Sequence, residues 1–103
     1  MKIVKVTYTT KAGYAEQNQK NIKNVMADLQ KLNHQGINYN ACLGADGKTF
    51  IHTAFFKSDE DQKLLNELPS FNYFQEQLKS GGLEVPPQQE LLTLVASSKS
   101  IFN

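Results

Sequence analysis

The spacing of apolar and polar residues changes several times along the chain, and each change predicts a new secondary-structure element. Between Lys2 and Thr10 apolar and polar residues alternate, which is typical of a β-strand with one buried face. From Tyr14 to about Leu32 apolar residues recur every three or four positions, which predicts an amphipathic helix that stops before Gly36. The apolar stripe of this helix consists of Ile22, Val25, Met26, Leu29 and Leu32.

The next two predicted strands, residues 37–45 and 48–57, are joined by Asp46-Gly47. This dipeptide favours a two-residue type I′ turn, because both residues tolerate the positive φ values that the turn requires. A two-residue loop fixes the register of the hairpin, and the register sorts the side chains into two faces. The nearly apolar face, expected under the helices, carries Ile37, Tyr39, Ala41, Leu43, Phe50, His52, Ala54 and Phe56. The mixed face carries Asn38, Asn40, Cys42, Gly44, Thr49, Ile51, Thr53 and Phe55.

A second helical region follows the hairpin. Ser58 precedes three acidic residues, which resembles a capping box and predicts a short helix that continues to about Glu67. Pro69 interrupts the pattern, and Ser70 is expected to cap a second segment over residues 71–79.

The last part of the chain is interpreted as a loop and a strand. Gly81-Gly82 ends the helical region, and residues 83–90, with their two prolines, are predicted to form a connecting loop. Residues 91–97 are predicted to be the last strand, with Leu92, Leu94 and Ala96 on the helix-facing side. Residues 99–103 form a tail without an assigned structure.

The order β-α-β-β-α-β predicts one ferredoxin-like α+β domain over residues 1–103, with a four-stranded antiparallel sheet and both helices on one face. The open face of that sheet would carry five sizeable apolar side chains: Ile3, Ile51, Phe55, Leu91 and Val95. Such a patch is typical of an interaction surface, so we predict a homodimer through the open face. The alternative is a solvated sheet with scattered apolar residues, which is common in monomers.

The amino-acid composition argues against some classes of binding partner. The 11 basic residues, all lysines, nearly balance 10 acidic residues, and a net charge of +1 gives no strong field for nucleic acid or an anionic membrane. An RNA-recognition domain shares the element order, but residues 48–55 lack the glycines that its third strand needs. The single cysteine excludes an internal disulfide, and we find neither a signal peptide nor a membrane-spanning run. We therefore expect a cytoplasmic protein that binds neither nucleic acid nor membrane.

The strand-to-helix junction carries a family resemblance. Phe55-Phe56 runs into an acidic-capped helix, and Pro69, Phe71 and Phe74 form a Pro-x-Phe-x-x-Phe segment. This pattern resembles the dimeric α/β-barrel superfamily, and within it the antibiotic-biosynthesis-monooxygenase-like domains. The resemblance implies a homodimer with two facing sheets and a small-molecule cleft between helices and sheet. It also implies a cofactor-independent oxygenase or haem-degrading activity where the family's site residues are present.

Several of those site residues are missing from this chain. Leu65 occupies the position, four residues before the proline, where members often carry a histidine. The chain contains no tryptophan, which several catalytic members use. The asparagine that haem-degrading relatives carry on the first strand has no clear match among Thr7, Tyr8 and Thr9. The resemblance therefore transfers the fold better than the chemistry.

His52 is the strongest candidate for chemistry. The register places it on the helix-facing side of a central strand, where it would act as a general base, with its pKa lowered by desolvation, or as an axial ligand. Tyr8 and Tyr39 would donate hydrogen bonds to a ligand carbonyl, and Phe74 completes the predicted ligand-binding set. The competing interpretation is a packed histidine that bonds to tyrosine or backbone, with Tyr and Phe rings in the core.

Other polar residues receive structural interpretations. His34 lies near a helix C-terminus, where the dipole favours a cation at the surface. Cys42 is interpreted as an inert residue near the dimer interface. The acidic residues 59–61 fan around a helix start and are better explained by capping than by metal binding. Since the two histidines are far apart in the sequence, no metal site and no cofactor are expected.

Three functional hypotheses remain open. The first is a small dimeric domain that binds a small apolar molecule between helices and sheet. The second is a cofactor-independent monooxygenase or haem-modifying enzyme that uses His52 and the tyrosines. The third is a purely structural dimer.

Overall fold

The computed structural model describes residues 1–102, and within them it contains four strands and three α-helices. In chain order they are β1 Lys2–Thr10, α1 Ala15–Leu32, β2 Ile37–Leu43, β3 Thr49–Phe56, α2 Asp59–Asn66, α3 Pro69–Gln77 and β4 Leu83–Leu92. The strands form one antiparallel sheet in the order β2-β3-β1-β4, and the helices pack on it. This arrangement confirms the predicted ferredoxin-like fold.

The core lies between the helices and one face of the sheet. In β3 every second residue is buried, namely Phe50, His52, Ala54 and Phe56, as the alternation predicts. Val25 of α1 is only 1% exposed and Leu65 of α2 is 3% exposed, so both helices pack apolar residues here. The removal of this apolar surface from water is the main force that holds helices to sheet. Leu32, at the end of the predicted α1 stripe, is 49% exposed and lies outside this core.

The hairpin has the predicted register but a different turn. Ala41 pairs with His52 and Leu43 with Phe50, as predicted. The predicted type I′ turn is wrong, because it needs positive φ at two residues and only Gly47 has it. The loop is wider, and the Asp46 carboxylate accepts bonds from the backbone N–H groups of Lys48 and Thr49. The register is unchanged because Gly44 still donates to the carbonyl of Thr49, at 2.7 Å.

The prediction for the last strand is wrong. β4 spans Leu83–Leu92, so residues 83–90 form a strand rather than a loop, and residues 93–97 follow the strand. The two prolines fit because β4 is an edge strand and its pairing with β1 shifts register between Thr7 and Thr9. Proline lacks the N–H of a ladder bond and is therefore tolerated at sheet edges and bulges.

The pairing of β4 with β1 also places the side chains of Leu91 and Leu92 on the faces opposite to those predicted. Leu91 pairs with Val4 and therefore lies on the helix-facing side, not on the open face as predicted. Leu92 pairs with Ile3 and lies on the open face, again opposite to the prediction. Val95 lies beyond the strand and is 96% exposed.

The segment after β4 returns across the open face. Asn38 of β2 donates from its Nδ2 to the carbonyl of Ile101, at 3.3 Å, although β2 and β4 are the two opposite edges of the sheet. Ile101 and Phe102 are half-buried, and Ile3 on the same face is only 4% exposed. One end of the open face is therefore covered by the chain itself; of the tail, Asn103 lies outside the described residues.

The helix ends confirm the predicted cap of α2 and correct the predicted cap of α3. Ser58 caps α2, where its N–H and its hydroxyl both donate to the Asp61 carboxylate at 2.8 Å. α3 begins at Pro69, so Ser70 lies in its first turn and is not the cap. α1 ends at Leu32, before Gly36 as predicted, and its C-cap is Asn33 in the left-handed conformation. None of the helices in residues 1–102 is long and apolar enough to cross a membrane.

Candidate functional site

A cavity of about 310 Å³ lies between the sheet and the helices α2 and α3. Its floor comes from alternate residues of β1 and β3, which the pleat directs toward the helices. Its walls come from the inner faces of α2 and α3. The buried lining residues are Val4, Tyr8, His52, Ala54, Phe56, Leu65, Phe71, Phe74 and Leu78.

His52 is held between two tyrosines in this cavity. The Tyr8 hydroxyl lies 2.8 Å from its Nε2, and the Tyr39 hydroxyl lies 2.6 Å from its Nδ1. The three residues meet because Tyr8 on β1 and Tyr39 on β2 flank β3 from opposite sides. Both ring nitrogens are thus occupied, and only 4% of the residue is exposed.

Burial controls the ionisation of this cluster. Desolvation lowers the pKa of His52 from 6.5 to about 4, so the imidazole is neutral at neutral pH. Burial also raises the pKa of Tyr8 and of Tyr39 well above the usual value, so both phenols keep their protons. At neutral pH the cluster therefore carries no net charge and offers only hydrogen bonds.

Asn18 extends the cluster away from the cavity. This residue of α1 is fully buried, and its Nδ2 donates to the Tyr8 hydroxyl at 2.9 Å. Its Oδ1 is buried and has no partner among the described residues. A continuous chain of hydrogen bonds thus runs from Asn18 through Tyr8 and His52 to Tyr39.

Aromatic rings pack around this hydrogen-bond chain. Phe74 stacks on His52 with ring centroids 5.5 Å apart, and Phe71 meets Tyr39 edge-on at 6.2 Å. On the other side Phe50 stacks on Tyr8 at 5.5 Å. The rings of Tyr8, Tyr39 and His52 each contact at least two other rings, which restricts their orientations.

The mouth of the cavity is polar. The exposed or half-exposed polar residues that line it are Gln62, Asn66, Gln75, Lys79 and Gln89. The site thus combines an apolar, aromatic interior with a few polar groups, which is the usual composition of a small-molecule site.

The structure brings together all four site residues predicted from the sequence. Tyr8, Tyr39, His52 and Phe74 line the same cavity. Leu65, at the position where the resembled family often has a histidine, also lines it. Sequence reasoning missed Asn18, although an asparagine four residues before Ile22 on the apolar side of α1 could have marked a buried polar contact.

The other polar candidates lie outside the cavity. His34 bonds to Asp61 at the start of α2, next to the Ser58 cap. Cys42 is exposed on β2. In residues 1–102 no group of three His, Cys, Asp or Glu side chains is arranged to hold a metal ion.

Comparison with known proteins identifies structural relatives only. No protein-family model matches the chain, and no curated protein matches its sequence. Several solved structures match it over nearly the whole length of this chain. A "putative antibiotic biosynthesis monooxygenase" from Nitrosomonas europaea aligns with a TM-score of 0.78 at 13% identity, covering 93% of this chain and 100% of that one.

Two further solved structures align with this chain to a similar degree. Rv0793 from Mycobacterium tuberculosis aligns with a TM-score of 0.77 at 12% identity, covering 95% of this chain and 98% of that one. PA3566 from Pseudomonas aeruginosa aligns with a TM-score of 0.76 at 16% identity, covering 92% and 94%. The structural neighbours thus include antibiotic-biosynthesis-monooxygenase-like proteins, as the sequence resemblance predicts. At these identities the likeness establishes the fold.

Proposed function

We propose that this protein binds a small, mainly apolar molecule in the cavity between the sheet and helices α2 and α3. The observation that supports this proposal is the cavity itself, about 310 Å³ with a buried aromatic lining and a polar mouth. The cavity opens to solvent at this mouth, and the buried side chains that line its interior have no protein neighbours on the side that faces the cavity. A bound molecule would supply those contacts.

The test uses a neutral dye and two variants that differ by one position. N-phenyl-1-naphthylamine is an apolar dye whose fluorescence rises when it leaves water. Val6 lines the cavity, whereas the next residue, Thr7, pairs with Ile51 on the open face. We expect saturable binding to the wild type and to Thr7→Phe, and at least tenfold weaker binding to Val6→Phe, which fills the cavity.

Two results would contradict this proposal. Either the wild type does not bind the dye, or Val6→Phe binds it as tightly as Thr7→Phe does. The first result would favour a purely structural domain. Circular dichroism of both variants shows whether each keeps the wild-type fold before the titrations are compared.

An oxygenase reaction in the same cavity is the second candidate. It is supported by the monooxygenase name of a structural neighbour and by the tyrosines and histidine that face the cavity here. Without a cofactor, the substrate itself must supply electrons to O₂. Anthrone meets this requirement, because its acidic CH₂ group gives an electron-rich enolate, and one O₂ converts the CH₂ to C=O with loss of one water.

Oxygen uptake with anthrone tests this second candidate. We expect protein-dependent uptake of one O₂ per anthrone in the wild type and in Thr7→Phe, and loss of this uptake in Val6→Phe. Tyr39→Phe would reduce the rate, since the Tyr39 hydroxyl would hold the enolate oxygen. Uptake no faster than in protein-free buffer would exclude this reaction with anthrone and leave the binding proposal intact.

A further inference from the structure

The hydrogen-bond chain Asn18–Tyr8–His52–Tyr39 has a direction that can be derived from its members. A neutral imidazole has one N–H donor and one acceptor nitrogen, so one tyrosine must donate to His52 and the other must accept from it. If Tyr39 is the one that accepts, its own hydroxyl hydrogen is left for a molecule in the cavity.

The direction begins at Asn18. Its Nδ2 is only a donor, so the Tyr8 oxygen accepts that bond. The only other bond to the Tyr8 hydroxyl among the described residues is the one to Nε2 of His52. Tyr8 is 2% exposed, so a hydroxyl hydrogen without an acceptor would be costly there. Tyr8 therefore donates to Nε2, which must be the unprotonated nitrogen.

The single proton of the neutral imidazole decides the bond between His52 and Tyr39. With Nε2 as acceptor, the proton of the neutral ring is on Nδ1, and Nδ1–H donates to the Tyr39 oxygen 2.6 Å away. The Tyr39 hydroxyl hydrogen is then free of His52. Tyr39 lines the cavity, so this hydrogen is available to a molecule inside it.

The opposite direction is less favourable because of the amide of Asn18. It would need Oδ1 of Asn18 to face Tyr8, which would bury the NH₂ group, with its two donors, without a partner. In the orientation described, the group without a partner is the carbonyl oxygen Oδ1. Buried carbonyl oxygens without partners are more common in proteins than buried N–H groups without them.

We propose that Asn18, through Tyr8, holds His52 in the Nδ1–H form, so that Tyr39 is a fixed hydrogen-bond donor that selects ligands with an acceptor oxygen, such as a ketone. This inference rests on the proposed binding function and adds a ligand class to it. Asn18 and His52 are positioning residues, and Tyr39 is the residue that touches the ligand.

The direction of the chain is tested first without a ligand. Long-range ¹H–¹⁵N correlation spectra of ¹⁵N-labelled protein at pH 7 distinguish the two neutral forms of a histidine. We expect His52 in the Nδ1–H form, with the signals of the other histidine identified by their loss in His34→Gln. A single Nε2–H form would overturn the proposal.

Asn18→Leu tests the role of Asn18, since it keeps a similar volume and removes the amide. Without the amide donor of residue 18, the Tyr8 hydroxyl can either donate to Nε2 of His52 or accept from it. We therefore expect both neutral forms of His52 in this variant. A single, unchanged Nδ1–H form in Asn18→Leu would refute the role assigned to Asn18, and a merely structural residue would not shift this signature.

Selection by Tyr39 is tested with a matched pair of ligands. 9-Fluorenone and fluorene are planar tricyclic molecules of similar outline, and only the first has a carbonyl oxygen. In equilibrium dialysis we expect the wild type to bind fluorenone about tenfold more tightly, as one net hydrogen bond allows. Tyr39→Phe should bind both compounds equally, and Thr7→Phe should keep the preference.

The outcomes separate this inference from the proposed function. Equal binding of both compounds by the wild type would overturn donor selection and leave cavity binding intact. Binding of neither compound, together with no dye binding, would end both proposals.

Discussion

At the scale of single residues, two tyrosines decide what His52 can do. The sequence places His52 in a cleft as a candidate general base, and burial does keep it neutral. Both of its ring nitrogens are bonded to the tyrosine hydroxyls, so a ligand meets Tyr39 rather than the imidazole. The arrangement agrees with the competing interpretation of a packed, hydrogen-bonded histidine, and it makes any chemical role of His52 indirect.

The same burial predicts a pH-dependent stability. In the unfolded chain His52 takes up a proton near its ordinary pKa of 6.5, whereas in the folded protein it does so only at about 4. The unfolded state thus binds more protons between these values, and the free energy of unfolding falls as the pH falls through this range. A difference of about 2.5 pKa units corresponds to about 3 kcal/mol.

Urea denaturation between pH 7 and pH 4 measures this effect. We expect the wild type to lose about 3 kcal/mol more than His52→Gln over this range, because the variant lacks the titrating group while the acidic residues and His34 are unchanged. If the free energy of unfolding fell equally with pH in the two proteins, burial of His52 would not contribute to the acid sensitivity.

At the scale of elements, the start of α2 organises the neighbouring loop. The Asp61 carboxylate accepts bonds from the N–H and hydroxyl of Ser58 and also bonds His34. The bonds from His34 and Ser58 hold the pKa of Asp61 below its usual range. Gly36 lies directly against this carboxylate, and its carbonyl accepts a bond from the N–H of Lys57. The capping box thus also anchors the loop between α1 and β2.

Gly36→Ala tests this packing. An added Cβ would lie inside van der Waals contact of the Asp61 carboxylate, which its hydrogen bonds prevent from moving freely. We expect a loss of about 1–3 kcal/mol in the free energy of unfolding, as for other overpacked sites. Gly13→Ala is the matched control, since no atom lies within 4 Å of its added Cβ. Equal stability of the two variants in urea denaturation would contradict the packing argument.

At the scale of the whole molecule, the open face of the sheet decides how the protein assembles. The segment after β4 covers one end of this face, where Ile3 is 4% exposed. Ile51 and Phe55 remain half-exposed. The homodimer stays a prediction, and its interface would use the part of the face that the chain's own tail leaves open.

Ile51→Glu tests the dimer, because it places a charge in the middle of the open face on β3, one of the two central strands. We expect a dimer for the wild type at micromolar concentration and a monomer for Ile51→Glu, in size-exclusion chromatography with light scattering. Leu32→Glu, at a position 49% exposed near the end of α1, makes the same chemical change away from the face and should remain a dimer. A monomeric wild type would exclude the predicted assembly at that concentration.

The sequence alone determined the features that depend on neighbours along the chain. The alternation in β1 and β3, the helical period of α1 and the Ser58 cap each reflect a local pattern, and the structure contains all of them. The hairpin register was also predictable, because it counts residues outward from Asp46-Gly47 and so puts Tyr39 and His52 on one face. This register is why the predicted site residues lie together in one cavity.

Tertiary structure decided the features that depend on a partner far away in the sequence. Two consecutive prolines are typical of a loop, and only the edge position and the irregular pairing of β4 with β1 let them lie in a strand. The bond between Asn18 and Tyr8 joins α1 to β1, and the helical period of α1 marks Asn18 as buried without identifying its partner. The direction of the hydrogen-bond chain arises from that single contact, so the donor role proposed for Tyr39 can be derived only from the folded protein.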